Sequence, residues 1–123
     1  MKHIEDHKWA PDSNEVSWVA EGQAMRKTFQ GTLGSVTVLQ DRSGFLAVEN
    51  PSANTRGGAA IWNADGSLRC SLRNPYGANA DHIFYYGHHV GDRLHVVLAG
   101  QSGDFGYFVD EKTCELSGRH EVR

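Results

Sequence analysis

Short apolar runs alternate with polar turns along most of the chain. Residues 36–72 contain four such runs, and residues 83–118 contain four more. The runs are paired around polar turns at residues 41–44, 63–66, 89–92 and 110–113. Alternating apolar and polar positions on both sides of a short polar turn are typical of β-hairpins. The pattern therefore predicts a mainly β protein built from antiparallel hairpins, in which 36–72 and 83–118 are duplicated four-strand units.

The strands can be placed along both units from the same pattern. The predicted strands cover residues 36–38, 45–49, 59–62, 68–72, 83–86, 94–98, 105–109 and 114–116. Between them, residues 50–58 have the Asn, Pro and Gly content of a loop, and Asn-Pro-Tyr-Gly at 74–77 predicts a turn that joins the two units.

The N-terminal segment, residues 1–35, allows two interpretations. Asp12 and Glu15 fit a helix capping box, which predicts a short helix after them. Apolar residues also alternate on both sides of Gly22, which predicts a hairpin. Because Trp, Val and Phe favour strands and Gly22 would interrupt a helix, the hairpin is favoured and the short N-terminal helix remains the alternative.

Length, composition and charge limit the class of protein. A chain of 123 residues with 39% hydrophobic and 22% charged residues fits one globular domain, 1–123. The net charge of −3 lacks the basic excess of a nucleic-acid-binding domain. No signal peptide and no membrane-length apolar run are visible, so we expect a cytoplasmic protein with no membrane partner.

Two cysteines, Cys70 and Cys114, are too few for a disulfide framework. If the two four-strand units stack as neighbours, the two thiols fall near corresponding edges and could pair. In a reducing cytoplasm, however, we expect buried free thiols.

Two segments resemble a known family of repeats. Residues 107–116, YFVDEKTCEL, and residues 61–68, IWNADGSL, resemble the outer hairpin turn of β-propeller blades, as in the quinoprotein-like repeats. In such a turn the Asp side chain accepts backbone N–H groups. A propeller needs about four to eight blades, and this chain has material for two or slightly more. The resemblance implies a compact sandwich, an open barrel or a partial propeller, or a ring completed by several chains.

No set of residues predicts catalysis or metal binding. His82, His88, His89 and His95 cluster in sequence, but their spacing does not match a zinc site, and we expect the adjacent His88 and His89 to lie in a loop. Gly-Gln-Ser-Gly at 100–103 lacks the nucleophile-elbow pattern. The sequence therefore predicts no enzyme, no cofactor and no metal.

Aromatic residues suggest a recognition surface. Three consecutive aromatic residues at 84–86 place a ring on both faces of one strand, so at least one ring is exposed if only one face is buried. We expect a partner to contact these rings, the neighbouring histidines and a surrounding rim of acids. The predicted partner-binding residues are Tyr85, Tyr86, His88, His89, Asp81, Asp92 and Asp104.

These features favour a protein-binding module, monomeric or a small homo-oligomer, that blocks its partner by occlusion. The specific hypothesis is an immunity protein, or antitoxin, that neutralises a cognate bacterial toxin. One alternative is a lectin whose blades assemble by oligomerisation and whose sugars stack on Trp62 or Tyr107. Another is a small enzyme of unrecognised type.

Overall fold

The computed structural model describes residues 2–52, 57–77 and 81–122, and this part of the chain is built from strands without any helix. The strands are β1 (Ile4–Lys8), β2 (Glu15–Ala20), β3 (Gln23–Thr28), β4 (Leu33–Val38), β5 (Gly44–Glu49), β6 (Gly58–Asn63), β7 (Leu68–Ser71), β8 (Ile83–Val90), β9 (Arg93–Gly100), β10 (Gly103–Val109) and β11 (Leu116–Val122). The predicted mainly β fold is confirmed.

The strands form three antiparallel sheets, and within each sheet neighbouring strands follow one another along the chain. The first sheet has the order β1-β2-β3, the second β4-β5-β6-β7 and the third β8-β9-β10-β11. Each four-stranded sheet therefore corresponds to one of the two repeated segments. Within the described residues none of the three sheets closes into a barrel.

The N-terminal segment is a hairpin, and the alternative of a short helix is wrong. Strands β2 and β3 pair in register from Glu15↔Thr28 to Ala20↔Gln23. Glu21 and Gly22 turn the chain with φ of 52° and 74°, as a two-residue hairpin turn requires. Alternation along β2 buries one face, where the Trp18 indole N–H donates to the Ala64 carbonyl at 2.8 Å. Burial of this face decides against the helix that the capping residues suggested.

The second sheet lies at the centre of the molecule, with a hydrophobic core on each side. Along β5, Phe45 and Ala47 belong to the core shared with the first sheet. Leu46 and Val48 belong to the core shared with the third sheet. Because successive side chains point to opposite faces, β5 is buried on both faces.

The second and third sheets meet where β4 approaches β8. The Gly87 N–H donates to the Ser35 hydroxyl at 3.0 Å, and the Gly87 carbonyl accepts from Thr37 Oγ1 at 3.0 Å. A Cβ on residue 87 would lie 2.5 Å from Leu46 Cδ2, so a larger residue would require the Leu46 side chain to move. Two hydroxyl side chains on β4 thus satisfy backbone groups of β8, which is an edge strand of the third sheet.

Cys70 and Cys114 form a disulfide, and the expectation of free thiols is wrong. The bond joins β7 to the turn between β10 and β11, across a sequence separation of 44 residues. Packing of the second sheet on the third brings the two Cα atoms to 5.9 Å, which is within the range that a disulfide spans. The sequence could not settle the pairing, because this distance depends on how the sheets pack.

Most turns lie where the sequence predicted them, and two predicted boundaries are wrong. His88 and His89 lie within β8 rather than in a loop. Cys114 has a φ of 65° and ends a turn, so the last strand begins at Leu116 instead of at residue 114. The predicted turn at 74–77 is present, with the Gly77 N–H donating to the Asn74 carbonyl. The predicted loop 50–58 includes residues 53–56, which lie outside the described part of the chain.

Candidate functional site

The candidate site is the face of the third sheet that points away from the second sheet, hereafter the outer face. Along β9, Leu94, Val96 and Leu98 enter the core with the second sheet, so His95 and Val97 point to the outer face. Register places side chains from all four strands of the sheet on this face. They include Tyr86, His88, His95, Val97, Phe108 and His120.

Three histidines form a hydrogen-bonded chain across the outer face. His88 Nε2 lies 2.7 Å from His95 Nδ1, and His95 Nε2 lies 2.9 Å from His120 Nε2. The other nitrogen of His120, Nδ1, lies 2.6 Å from the Gly118 carbonyl. His95 is the central and most buried member, with 2% of its surface exposed. This chain of histidines, hereafter the histidine chain, connects β8, β9 and β11 and passes over β10.

The chain passes over β10 because residue 106 has no side chain. Gly106 lies opposite His120 in the register, and a Cβ on it would lie 2.9 Å from His120 Nε2. The register between β10 and β11 then shifts, and Gly118 takes a φ of 68° at that shift. These two glycines let the His120 ring approach the His95 ring, with 4.9 Å between their centroids.

Burial, followed by the nearby His88 and His120, lowers the pKa of His95 from 6.5 to about 4. His95 is therefore a neutral imidazole at neutral pH, with one nitrogen that donates and one that accepts. Such a ring can pass a hydrogen bond from one neighbour to the other, which is what its position in the chain requires.

Aromatic and cationic groups flank the histidines. The Arg93 guanidinium carbon lies 3.7 Å from the centroid of the Phe108 ring, a cation–π geometry. Phe108 in turn lies 5.3 Å from the His95 ring, and Tyr86 lies 5.3 Å from the His88 ring. Tyr85 is the extra residue of a register shift on β8 and is 56% exposed. The outer face thus combines rings that pack together with one ring that faces solvent.

The structure brings some of the predicted partner-binding residues together and separates others. Tyr86 and His88 lie on the outer face with Tyr85 beside them. His89 points to the opposite face, where its Nε2 is buried without a hydrogen bond in the described structure. The three acids of the predicted rim divide between the two ends of the sheet: Asp81 and Asp104 lie at one end, and Asp92 lies in the turn at the other.

Sequence reasoning missed His120, Phe108 and Arg93 as parts of the site. Alternation along β10 could have placed Phe108 opposite the buried Tyr107, but β11 lacks an apolar stripe that would have revealed its register. The rings proposed for sugar stacking are not free. Tyr107 is buried in the core, and the Lys27 ammonium lies 4.0 Å from the centroid of a Trp62 ring.

A separate cavity of about 670 Å³ lies where three hairpin turns converge. Its wall is held by the Arg69 guanidinium, which donates to Asn63 Oδ1 at 2.6 Å, to the Glu111 carbonyl at 3.1 Å and to Ser43 Oγ at 2.9 Å. Burial, and then the nearby Asp41 carboxylate, raise the pKa of Glu111. Because Arg69 already binds all three turns, it stabilises the wall of the cavity instead of offering a free cation to a ligand.

No group of three or more His, Cys, Asp or Glu side chains is placed to hold a metal ion in the described ranges. Nor does this part of the chain contain a helix whose length and hydropathy would let it cross a membrane.

The fold is similar to those of two solved structures. One is a chain in the structure of Tne2 in complex with Tni2, with a TM-score of 0.74 and 14% identity over 94% of this chain and 82% of that chain. The other is BamB from Moraxella catarrhalis, with a TM-score of 0.61 and 14% identity over 93% of this chain and 31% of that chain. No protein-family model and no curated protein matches the sequence. At this level of identity, the likeness shows the fold alone.

Proposed function

We propose that this chain is a protein-binding module that docks a partner on the outer face, and that it serves as an immunity protein that neutralises a cognate toxin. The observation that carries the proposal is the outer face itself, a sheet surface of aromatic and histidine side chains that includes an exposed tyrosine. The Tne2–Tni2 structure supports it, since a chain with this fold occurs there in a complex of two proteins.

The outer face has the properties of a docking surface. Tyrosine supplies a large apolar ring with a polar tip, and such residues are frequent anchors at protein interfaces. Tyr85 is exposed, while Tyr86 and His88 beside it are already packed and lose little freedom on binding. Acids at both ends of the sheet would speed association with a basic partner.

We expect the partner of an immunity protein to be encoded by an adjacent gene, so the experiment tests the product of that gene. The product of the neighbouring open reading frame is expressed alone and together with this chain. We expect growth arrest when the neighbour is expressed alone, growth rescue on co-expression, and a stoichiometric complex on gel filtration. Absence of both rescue and a complex for the products of both flanking genes would contradict the proposal.

Two matched variants place the interface. Tyr85→Ala removes the exposed ring of the outer face, and Leu68→Ala removes a comparably exposed side chain, 52% against 56%, from the second sheet. We expect Tyr85→Ala to weaken binding by about tenfold or more and Leu68→Ala to leave it unchanged, as measured by titration calorimetry. Equal losses, or a loss for Leu68→Ala alone, would place the interface elsewhere.

The compartment and the absence of catalysis remain predictions. Disulfides persist in oxidising compartments, so the Cys70–Cys114 bond argues against the predicted cytoplasmic location. Alkylation of intact cells with a thiol reagent, followed by mass spectrometry of the purified chain, distinguishes free thiols from the disulfide. Modified cysteines support a cytoplasmic protein, whereas an intact disulfide contradicts that location.

A further inference from the structure

The hydrogen bonds of the histidine chain have one direction when all three rings are neutral. The Gly118 carbonyl can only accept, so His120 carries its proton on Nδ1 and accepts at Nε2. His95 must then donate from Nε2 and accept at Nδ1, which makes His88 the donor from its own Nε2. Each short contact in the chain has one donor and one acceptor in this arrangement and in no other neutral one.

One added proton fits the chain without the loss of a bond. If it enters at His88 Nδ1, all bonds keep their direction. If it resides on His120 Nε2, the protons of His95 and of His88 each move from Nε2 to Nδ1, and the direction between the rings reverses. His120 then donates to His95 Nε2, and His95 Nδ1 donates to His88 Nε2, while His120 still donates to Gly118. The two ends of the chain can thus share a single proton.

A second proton does not fit. With both end rings charged, His88 and His120 each present an N–H to His95, and a neutral His95 has only one nitrogen that accepts. Burial keeps the pKa of His95 low, so His95 carries only one ring proton. In one of the two contacts, two N–H donors then face each other without an acceptor. No carboxylate forms an ion pair with any of the three rings in the described structure.

The contact between His95 and His120 is the weaker one. His88 and His95 lie opposite each other on directly paired strands, whereas His95 and His120 contact each other across β10, and β11 does not pair with β9. His120 is also exposed, so the charged ring can turn into water. Other polar groups near the chain are the Tyr86 hydroxyl from β8, Arg93 from β9 and Asp104 from β10.

We propose that the three histidines form a proton-responsive latch that ties β11 to the rest of the outer face. The latch stays closed when the rings are neutral or share one added proton. A second added proton opens the latch and releases β11. Histidine is the side chain that commonly changes its charge between neutral and mildly acidic pH, so the release is tested by acidification through that range. The proposal concerns the free chain and does not depend on whether a partner docks on this face.

The first test reads the ring nitrogens by long-range ¹H–¹⁵N NMR of the free chain. At neutral pH we expect protons on Nε2 of His88, on Nε2 of His95 and on Nδ1 of His120. On titration to about pH 5, His88 and His120 should gain protons in two separate steps, while His95 stays neutral. A different set of tautomers at neutral pH, or protonation of His95 before the ends, overturns the proposal.

The second test follows strand release by amide hydrogen exchange, with rates corrected for the intrinsic effect of pH. We expect the protection of β11 amides to fall by about tenfold through the second step, while that of β9 amides remains. His120→Gln removes the charge at an exposed position and should abolish this pH dependence. His7→Gln, at an exposed position on β1, should retain it. A pH-independent β11, or an unchanged response in His120→Gln, contradicts the latch.

Discussion

The absence of a side chain at Gly106 allows His95 and His120 to contact each other on the outer face. The ring nitrogens of His95 and His120 occupy the space that a Cβ at this position would take. We expect Gly106→Ala to push the two rings apart and to lower the free energy of unfolding by about 1–3 kcal/mol, as overpacking typically does.

Urea unfolding followed by tryptophan fluorescence measures this change. Gly58→Ala is the matched control, because Gly58 also lies in a strand and nothing lies within 4 Å of the Cβ it would gain. The control should change the midpoint little. Equal destabilisation by both substitutions would mean that a Cβ within a strand, and not the contact with the two rings, sets the effect.

His95 makes the stability of the protein depend on pH. Its pKa is about 4 in the folded chain and 6.5 as the ordinary value, so the unfolded chain binds the proton more readily between these values. The free energy of unfolding should therefore fall as the pH is lowered from about 6.5 towards 4, by on the order of 3 kcal/mol in total. Above pH 6.5 this contribution is fully present.

Urea unfolding at several pH values above about 4.5 checks this dependence. The window excludes most of the contribution of Asp41, Asp65 and Asp110, whose lowered pKa values matter only at more acidic pH. His95→Phe removes the titrating group and should flatten the slope, even if the variant is less stable throughout. A slope that survives in His95→Phe would assign it to other groups.

At the scale of residues, the sequence predicted the composition of the site better than its geometry. The cluster of aromatic residues and histidines around residues 85–89 is visible in the sequence, and Tyr86 and His88 do lie on one face. The contact of His95 with His120 could not be predicted, because it depends on the strand register and on a glycine between the two rings. The sequence predicts a loop at His88 and His89 and so groups His89 with the same patch, whereas both residues lie in β8 and His89 points to the opposite face.

At the scale of elements, the Cys70–Cys114 disulfide is the covalent link between the second and third sheets. It closes a loop that spans a sequence separation of 44 residues, and a link of that length typically contributes about 2–4 kcal/mol to stability. We expect a reducing agent to lower the melting temperature of the wild-type chain, as followed by circular dichroism.

The double variant Cys70→Ala/Cys114→Ala separates the bond from other effects of the reductant. It should melt near the temperature of the reduced wild-type chain and should not respond to the reductant. If oxidised and reduced wild-type chains melt at the same temperature, the disulfide does not stabilise the fold.

The hairpins could be predicted because their signals are local. The Asp41 carboxylate accepts from the Ser43 N–H and hydroxyl, and Asp65 makes the same pair of bonds with Ser67. Such turns form from residues two positions apart and need no tertiary context. In β11 the exposed residues do not alternate with apolar ones, so its length could not be predicted. Residues 12–31 carried signals for both a helix and a hairpin, and burial of Trp18 decided between them.

At the scale of the whole molecule, the three sheets stack in the order of the chain, with the second sheet between the other two. The blade-like turns predicted such units, and none of the three sheets closes within the part of the chain that the structure describes. Which faces pack together could not be predicted, because the two strands that meet between the sheets, β4 and β8, carry no distinguishing local signal. The outer face is therefore defined by the core on the other side of β9, which local sequence signals do not specify.

The double burial of β5 has a consequence for how the molecule opens. Its residues belong to both cores, so its amides can exchange with solvent only when both cores come apart. We expect β5 amides to exchange at the rate set by global unfolding, and β3 amides, on an exposed edge strand, to exchange through local opening. Native-state exchange in low denaturant measures both. A steep denaturant dependence for β5 and a flat one for β3 would show that β5 opens only on global unfolding, whereas the edge strand β3 opens locally.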